Sequence, residues 1–370
     1  MGVVVVMEAI NPGRREVLGL AVGMVGAGAM ALTGATSAAA SSASPEPSSV
    51  TDRRSPARYR VEELPSLPND DAASALGVND AGIVAGFSSV AFTLRFHAVM
   101  WHRGRVHALG TLGGNTSVAG AVTSGGAIIG NSDTASGQSH GFLWKRGRMH
   151  DLGSLGGDRS FAKAVNDREQ VVGESHTAAG EPHPFLWSRG RMTDLTTWGL
   201  VPYEDSVEAV DDHGRVYGRH QASPGVWHAA RWDRGSVLDL GPVHSGDASV
   251  RAVNHRGVAV GWQVPPGSPD PVLHATVWHG LRSTDLGTAG GLFSEALAVN
   301  DREQVVGRLS VGPDQHPFVW ARGRFTVLPG LSSSTVVGGA AGVNGSGVVA
   351  GWLDGPDGRS HAVLWRPFGG

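Results

Sequence analysis

Residues 160–195 read SFAKAVNDREQVVGESHTAAGEPHPFLWSRGRMTDL. Four strand-like runs lie within them. Residues 160–166 alternate and are small, and 171–173 follow a four-residue Asp-Arg-Glu-Gln turn. Residues 183–187 are apolar and aromatic, and 191–195 follow the turn Ser188-Arg189-Gly190. Asn and Gly at such turns supply the positive-φ positions that tight hairpins need. Four strands in about 40–45 residues is the arithmetic of one β-propeller blade.

The same order of landmarks recurs along the chain. An apolar Leu closes the last run at Leu64, Leu109, Leu152, Leu195, Leu240, Leu286 and Leu328. A turn residue precedes each Val-x-Gly at Asn79, Thr123, Asn166, Asp211, Asn254, Asn300 and Asn344. His-x-x-x-Trp follows from His97/Trp101 through His183/Trp187 to His361/Trp365. Seven copies predict an all-β fold, a seven-bladed β-propeller with four strands per blade. An orphan fourth-type run, residues 59–64, precedes the first copy, and the last copy stops after its third run. The N-terminal strand is therefore expected to complete the last blade, leaving no long edge open. The small first strand of each blade is expected to lie nearest the axis.

Composition excludes several classes. Gly is 55 of 370 residues without a three-residue period, so collagen is excluded. Cys is zero, which removes disulfides, thiolate nucleophiles and Cys-bound zinc. A net charge of −3 argues against nucleic-acid binding. Residues 1–40 read as a twin-arginine (Tat) export signal. Arg14-Arg15 precedes a Gly-broken apolar segment at 17–32, and Ala38-Ala39-Ala40 offers the cleavage site. That segment is shorter than the ~20 residues needed to span a bilayer. Residues 41–57 read as a disordered Ser/Pro linker and 58–366 as the repeat domain. The mature chain is expected to be extracellular, without a membrane span, and monomeric.

The copies also resemble a known family. Gly141-Phe142-Leu143-Trp144, then Asp151-Leu152-Gly153-Ser154-Leu155-Gly156-Gly157, then Val171-Val172-Gly173 look like the extracellular HAF repeat. The likeness covers all seven units, although no copy has a strict His-Ala-Phe triplet. It implies an exported repeat protein and brings no catalytic residues with it.

Candidate functional residues are those that do not repeat. The seven landmark His read as structural, each satisfying buried backbone groups, and no metal site or cofactor is expected. No H-E-x-x-H, G-x-S-x-G or P-loop occurs. Beyond the landmark indoles lie Trp198, Trp227, Trp262 and Trp352. Numbering each blade's strands outward from the axis, all four map to the end that carries the two–three loops and the blade-to-blade crossovers. Tyr203, Glu204, Asp205 and Asp158 share that end, while turn bases such as Arg146, Arg189 and Arg322 collect on the other. Aromatic faces stack on sugar C–H groups or cations, and carboxylates accept hydroxyl hydrogens. The expectation is a non-enzymatic protein that binds a glycan, a cell-wall polymer or a secreted protein there. The alternative is an extracytoplasmic polysaccharide hydrolase or lyase using carboxylates of the same face.

Overall fold

The structure, a computed structural model, describes residues 58–368 except 92, 94, 243–245, 266–271, 313 and 333–336. Before residue 58 it describes only the paired strands Val3–Val5 and Val22–Met24. The expected export signal and linker otherwise lie outside the described residues. Apart from one 3-10 turn, Leu195–Trp198, the described elements are strands. Among the described residues no helix is long and apolar enough to cross a membrane.

The third repeat sets the pattern. Gly156–Val165, Val171–Thr177, Pro182–Ser188 and Arg191–Asp194 pair antiparallel in chain order. The first strand begins earlier than its alternation implied, because Gly156 already pairs with Thr177. The same four-strand order recurs in the other repeats, and a single parallel bridge from Ser139 to Arg159 joins the second and third into one sheet. The last sheet runs Gly338–Val343, Val349–Asp354, Ser360–Phe368 and then Arg58–Glu63. The N-terminal strand thus covers the edge that the chain's other end leaves open, as expected, pairing Val61 with Trp365.

The first strands form a closed circuit. Each contacts the first strand of the next repeat, and Gly338–Val343 contacts Ala72–Val78. The apolar core is correspondingly distributed as wedges between neighbouring repeats. One wedge packs Val172 and Leu186 against Val207, Val216 and Trp232. Another packs Trp101 and Leu64 against Ala350 and Leu364. The landmark indoles Trp101, Trp232, Trp278 and Trp365 are fully buried in these wedges. Trp101 and Trp365 also donate Nε1–H to the carbonyls of Pro65 and Pro329, at 2.7 and 2.8 Å.

The glycine of each Val-x-Gly has a steric cause. In every repeat the ladder between first and second strands skips one residue, as between Ala162 and Ala164. Such a bulge bends the strand and re-aims its side chains. The bent strand brings a carbonyl into the space of a Cβ on the second strand, Phe161 O at Gly173 and Glu295 O at Gly307. Backbone cannot step aside as a flexible side chain can. The skipped residues of adjacent repeats then meet: Lys163 Nζ lies 2.9 Å from Glu208 Oε1, and Arg251 NH1 lies 3.9 Å from Glu208 Oε2. Arg251 also pairs with the buried Glu295, which Arg308 grips from its own sheet at 2.8 Å. Burial pushes the Glu295 carboxyl up, but the two arginines outweigh it and hold it below the ordinary glutamate range.

Gly173→Ala is expected to cost about 3 kcal/mol or more by overpacking against Phe161. Urea denaturation of the variant beside the parent measures it; an unchanged midpoint would refute the close approach.

Candidate functional site

Six of the repeated His meet a carboxylate where backbone groups were expected. In four repeats the Nδ1 of His140, His183, His228 or His274 meets the carboxylate of Asp151, Asp194, Asp239 or Asp285, at 2.7–3.0 Å. The acid sits eleven residues on, one strand outward in the same sheet. His97 uses Asp70 instead, and His361 uses Glu63 of the closing strand. The physical reason is the local hairpin register. Phe142 pairs with Asp151, which puts that carboxylate beside the ring of His140. The same carboxylates accept the backbone N–H that opens the crossover, as Asp151 does from Gly153 and Asp239 from Gly241, both at 2.7 Å. Burial pushes the Asp194 and Asp239 carboxyls up, but hydrogen bonds from His183 with Thr196, and from His228 with Gly241, leave both below the ordinary aspartate range.

The axis opens at the end that carries the one–two turns. A cavity of about 240 Å³ is lined there by residues 78–80, 122–124, 165–167, 210–212, 253–255, 299–301 and 343–345. The middle residue of each triplet is the turn landmark. Asn300 shows what it does. Its Oδ1 accepts the N–H of Arg302 and Gln304, and its Nδ2 donates to Gln304 Oε1 and to Asn344 O of the next repeat. The same step runs from Asn79 to Thr123 O, from Asn166 to Asp211 O, from Asn254 to Asn300 O and from Asn344 back to Asn79 O, at 2.7–3.1 Å. Thr123 and Asp211 carry no amide, so two steps lack this bond. Asp211 instead turns Oδ2 to Arg215 Nε and to the Tyr217 hydroxyl, at 2.6 and 3.0 Å. Burial and the Asp211 charge push that phenol up to about 12.

The third residue of each triplet was missed in the sequence. Asp80, Asp167, Asp212 and Asp301 stand there with His255. The column was in register with the landmarks, and reading it alongside them would have found it. Asp167 Oδ1 accepts Ser124 N at 2.8 Å, and Asp212 Oδ1 accepts Asp167 N at 3.1 Å. His255 Nδ1 lies 2.7 Å from Asp212 Oδ2, and its Nε2 lies 3.8 Å from Asp167 Oδ2. The hydrogen bond to Asp212, against some loss of hydration and with the charges of Asp167 and Asp301, raises the imidazole above the ordinary histidine range.

The residues expected to bind ligand lie at the other end and only in part together. The fourth repeat gathers five of them. Tyr203 is 61% exposed at φ 65°, and the exposed Glu204 follows it. Glu204 O accepts Trp227 Nε1–H at 3.1 Å. Arg219 Cζ lies 5.5 Å from the centre of the Trp227 ring. Asp205 is structural, its two oxygens accepting Val201 N and Gln221 N. Trp198 is half-buried against the wedge between the third and fourth repeats. Trp262 adjoins this group in the fifth repeat: Asp247 holds Trp227 N by its Oδ1, and Ser249, two residues on, pairs with Trp262. Trp262 Nε1 is buried without a protein partner. Neither Trp262 nor Trp352 opens a two–three loop, as their placement at that end implied: they lie within the strands Val258–Gln263 and Val349–Asp354, and Trp352 is buried and covers Gly339. Asp158 belongs to the third repeat, 3.6 Å from His176.

No protein-family model and no curated protein matches the sequence. Solved structures do match. The propeller domain of the trilobed protease of Pyrococcus furiosus is 10% identical with a TM-score of 0.53, over 80% of this chain and 96% of that one. A puromycin-hydrolyzing peptidase of Mycobacterium tuberculosis is 14% identical with a TM-score of 0.55, over 84% of this chain and 56% of that one. An acylaminoacyl peptidase of Pyrococcus horikoshii is 9% identical with a TM-score of 0.55, over 80% and 52%. The chain thus spans little more than half the length of the two peptidases. At these identities the likeness defines the fold alone: the chain is a β-propeller.

The His–Asp pairs predict an acid dependence. A carboxyl held low in the folded state stabilises the fold above its unfolded pKa of about 3.9, and that contribution is lost as pH falls through the folded value. The double variant Asp194→Asn, Asp239→Asn should be less stable than the parent at pH 7 and lose less between pH 7 and pH 3. Urea midpoints at both pH values test this; parallel losses would refute it.

Proposed function

We propose that this chain is an exported, non-catalytic binding protein of the HAF-repeat kind. Its seven repeats are the blades of a seven-bladed propeller, and a glycan or cell-wall polymer is held on the crossover end. The observation that carries the reading is Tyr203. A bulky non-glycine residue at φ 65° costs backbone energy, and such strain collects at functional sites. Here it presents an aromatic ring to solvent. The next residue, the exposed Glu204, accepts the Trp227 Nε1–H on its backbone carbonyl, and the Trp262 Nε1–H in the next repeat has no protein acceptor. Rings that stack on sugar C–H faces, with hydroxyl-binding groups around them, fit a polyhydroxylated ligand. Loops on a rigid scaffold are the usual place for such a group.

Two features support binding over hydrolysis. Asp205 is engaged by two backbone amides, and Asp158 belongs to another repeat. Glycosidases of the common type need two carboxyl groups across one bond.

The test is intrinsic tryptophan fluorescence of the chain titrated with cell-wall and polysaccharide fragments. A saturable change is expected, weakened at least tenfold by Tyr203→Ala and by Trp227→Ala with the melting temperature of Tyr203→Ala retained. No response to any fragment would overturn the glycan reading in favour of a protein partner. Consumption of the fragment would overturn the non-catalytic one.

A further inference from the structure

We propose that the axial cavity at the one–two turn end binds a divalent transition-metal ion of the zinc class, between Asp167 Oδ2 and His255 Nε2. The two residues come from the third and fifth repeats, and Asp212 of the fourth lies between them. Single ligand atoms of all three lie within 4.8 Å of one another. Three further observations point to an ion.

The first is the orientation of the imidazole. His255 Nδ1 is 2.7 Å from Asp212 Oδ2. That hydrogen bond makes Nδ1 the protonated nitrogen of the neutral ring and leaves the lone pair on Nε2. A carboxylate behind a histidine is the standard way to aim and strengthen a metal ligand. The second is spacing. Nε2 lies 3.8 Å from Asp167 Oδ2, too far for a hydrogen bond. Zinc bonds of about 2.0–2.2 Å to nitrogen and oxygen put two ligand atoms about 3.4 Å apart at a tetrahedral angle, and farther apart as the angle opens. The gap therefore admits an ion at an angle wider than tetrahedral.

The third is independent of the side-chain trio. The circuit of side-chain amides is broken at two places, because Thr123 and Asp211 have no side-chain amide N–H to give. The two carbonyls left without that donor belong to Asn166 and Asn254, the residues just before Asp167 and His255. Each accepts a turn hydrogen bond, from Glu169 N or Gly257 N at 3.0 Å. A carbonyl oxygen has a second lone pair, and both asparagines line the same cavity as the trio, together with Asp80 and Asp301. An imidazole in the set favours zinc, nickel or copper over calcium or magnesium, which take oxygen.

Isothermal titration of the full chain with zinc chloride in a non-chelating buffer tests the proposal. One ion per chain at micromolar affinity is expected, with a rise in melting temperature as the ion binds the folded state. His255→Gln and Asp167→Asn should each weaken binding at least tenfold. Asn at 167 keeps an Oδ1 to accept Ser124 N, so the fold is retained. His279→Gln, which alters an exposed His–Glu pair elsewhere, should leave binding unchanged. Absence of zinc heats up to millimolar concentration overturns the proposal. So does zinc binding indifferent to both site variants, the mark of adventitious surface histidines. Tyr203→Ala must not affect zinc, so this proposal and the glycan reading fail separately.

Discussion

The turn asparagine does two jobs with one side chain. Its carbonyl oxygen closes its own hairpin by accepting backbone N–H groups, and its amide nitrogen ties that hairpin to the next repeat. Buried backbone groups must find partners, and at a propeller axis strand ladders cannot supply them. The other fixtures follow from the crowding this closeness imposes. First strands must be small, each skips one residue near its end, and the second strand must be glycine where the bulged carbonyl arrives.

The bulge also explains an uneven interior. Its skipped residue is Leu76, Gly120, Leu297 or Ala341 on one side of the ring, and Lys163, Glu208 or Arg251 on the other. The charged side forms a chain of pairs ending at Glu295 and Arg308. Removing one member would leave a buried charge uncompensated, so the chain is interdependent.

Much of this fold was legible in the sequence. The three landmarks, the four-strand unit and the orphan run at 59–64 specify the architecture, because each repeat must satisfy the same local geometry. The His–Asp pairs were also written there, in the Asp before Leu152, Leu195, Leu240 and Leu286, but their partnership is a property of hairpin register and not of periodicity. The candidate site was less legible. Composition counts exposed and buried indoles alike, so Trp352 counted among the candidate ligand-binding rings although it packs on Gly339. Asp80, Asp167, Asp212 and Asp301 read as ordinary turn residues, since only ring closure brings residues some forty positions apart to one mouth.

Closure by the N-terminal strand has a consequence for the order of assembly. Glu63 pairs with Val363, and Arg58 with Phe368. These partners lie about 300 residues apart, among the longest-range contacts the chain makes. Local hairpins form quickly, whereas contacts of large sequence separation wait for loop closure. A chain emerging from the ribosome can stack its repeats one by one, but residues 58–63 stay unpaired until the final strand exists. The ring is a necklace whose clasp belongs to its two ends, and until it fastens every partly made molecule carries an open strand edge.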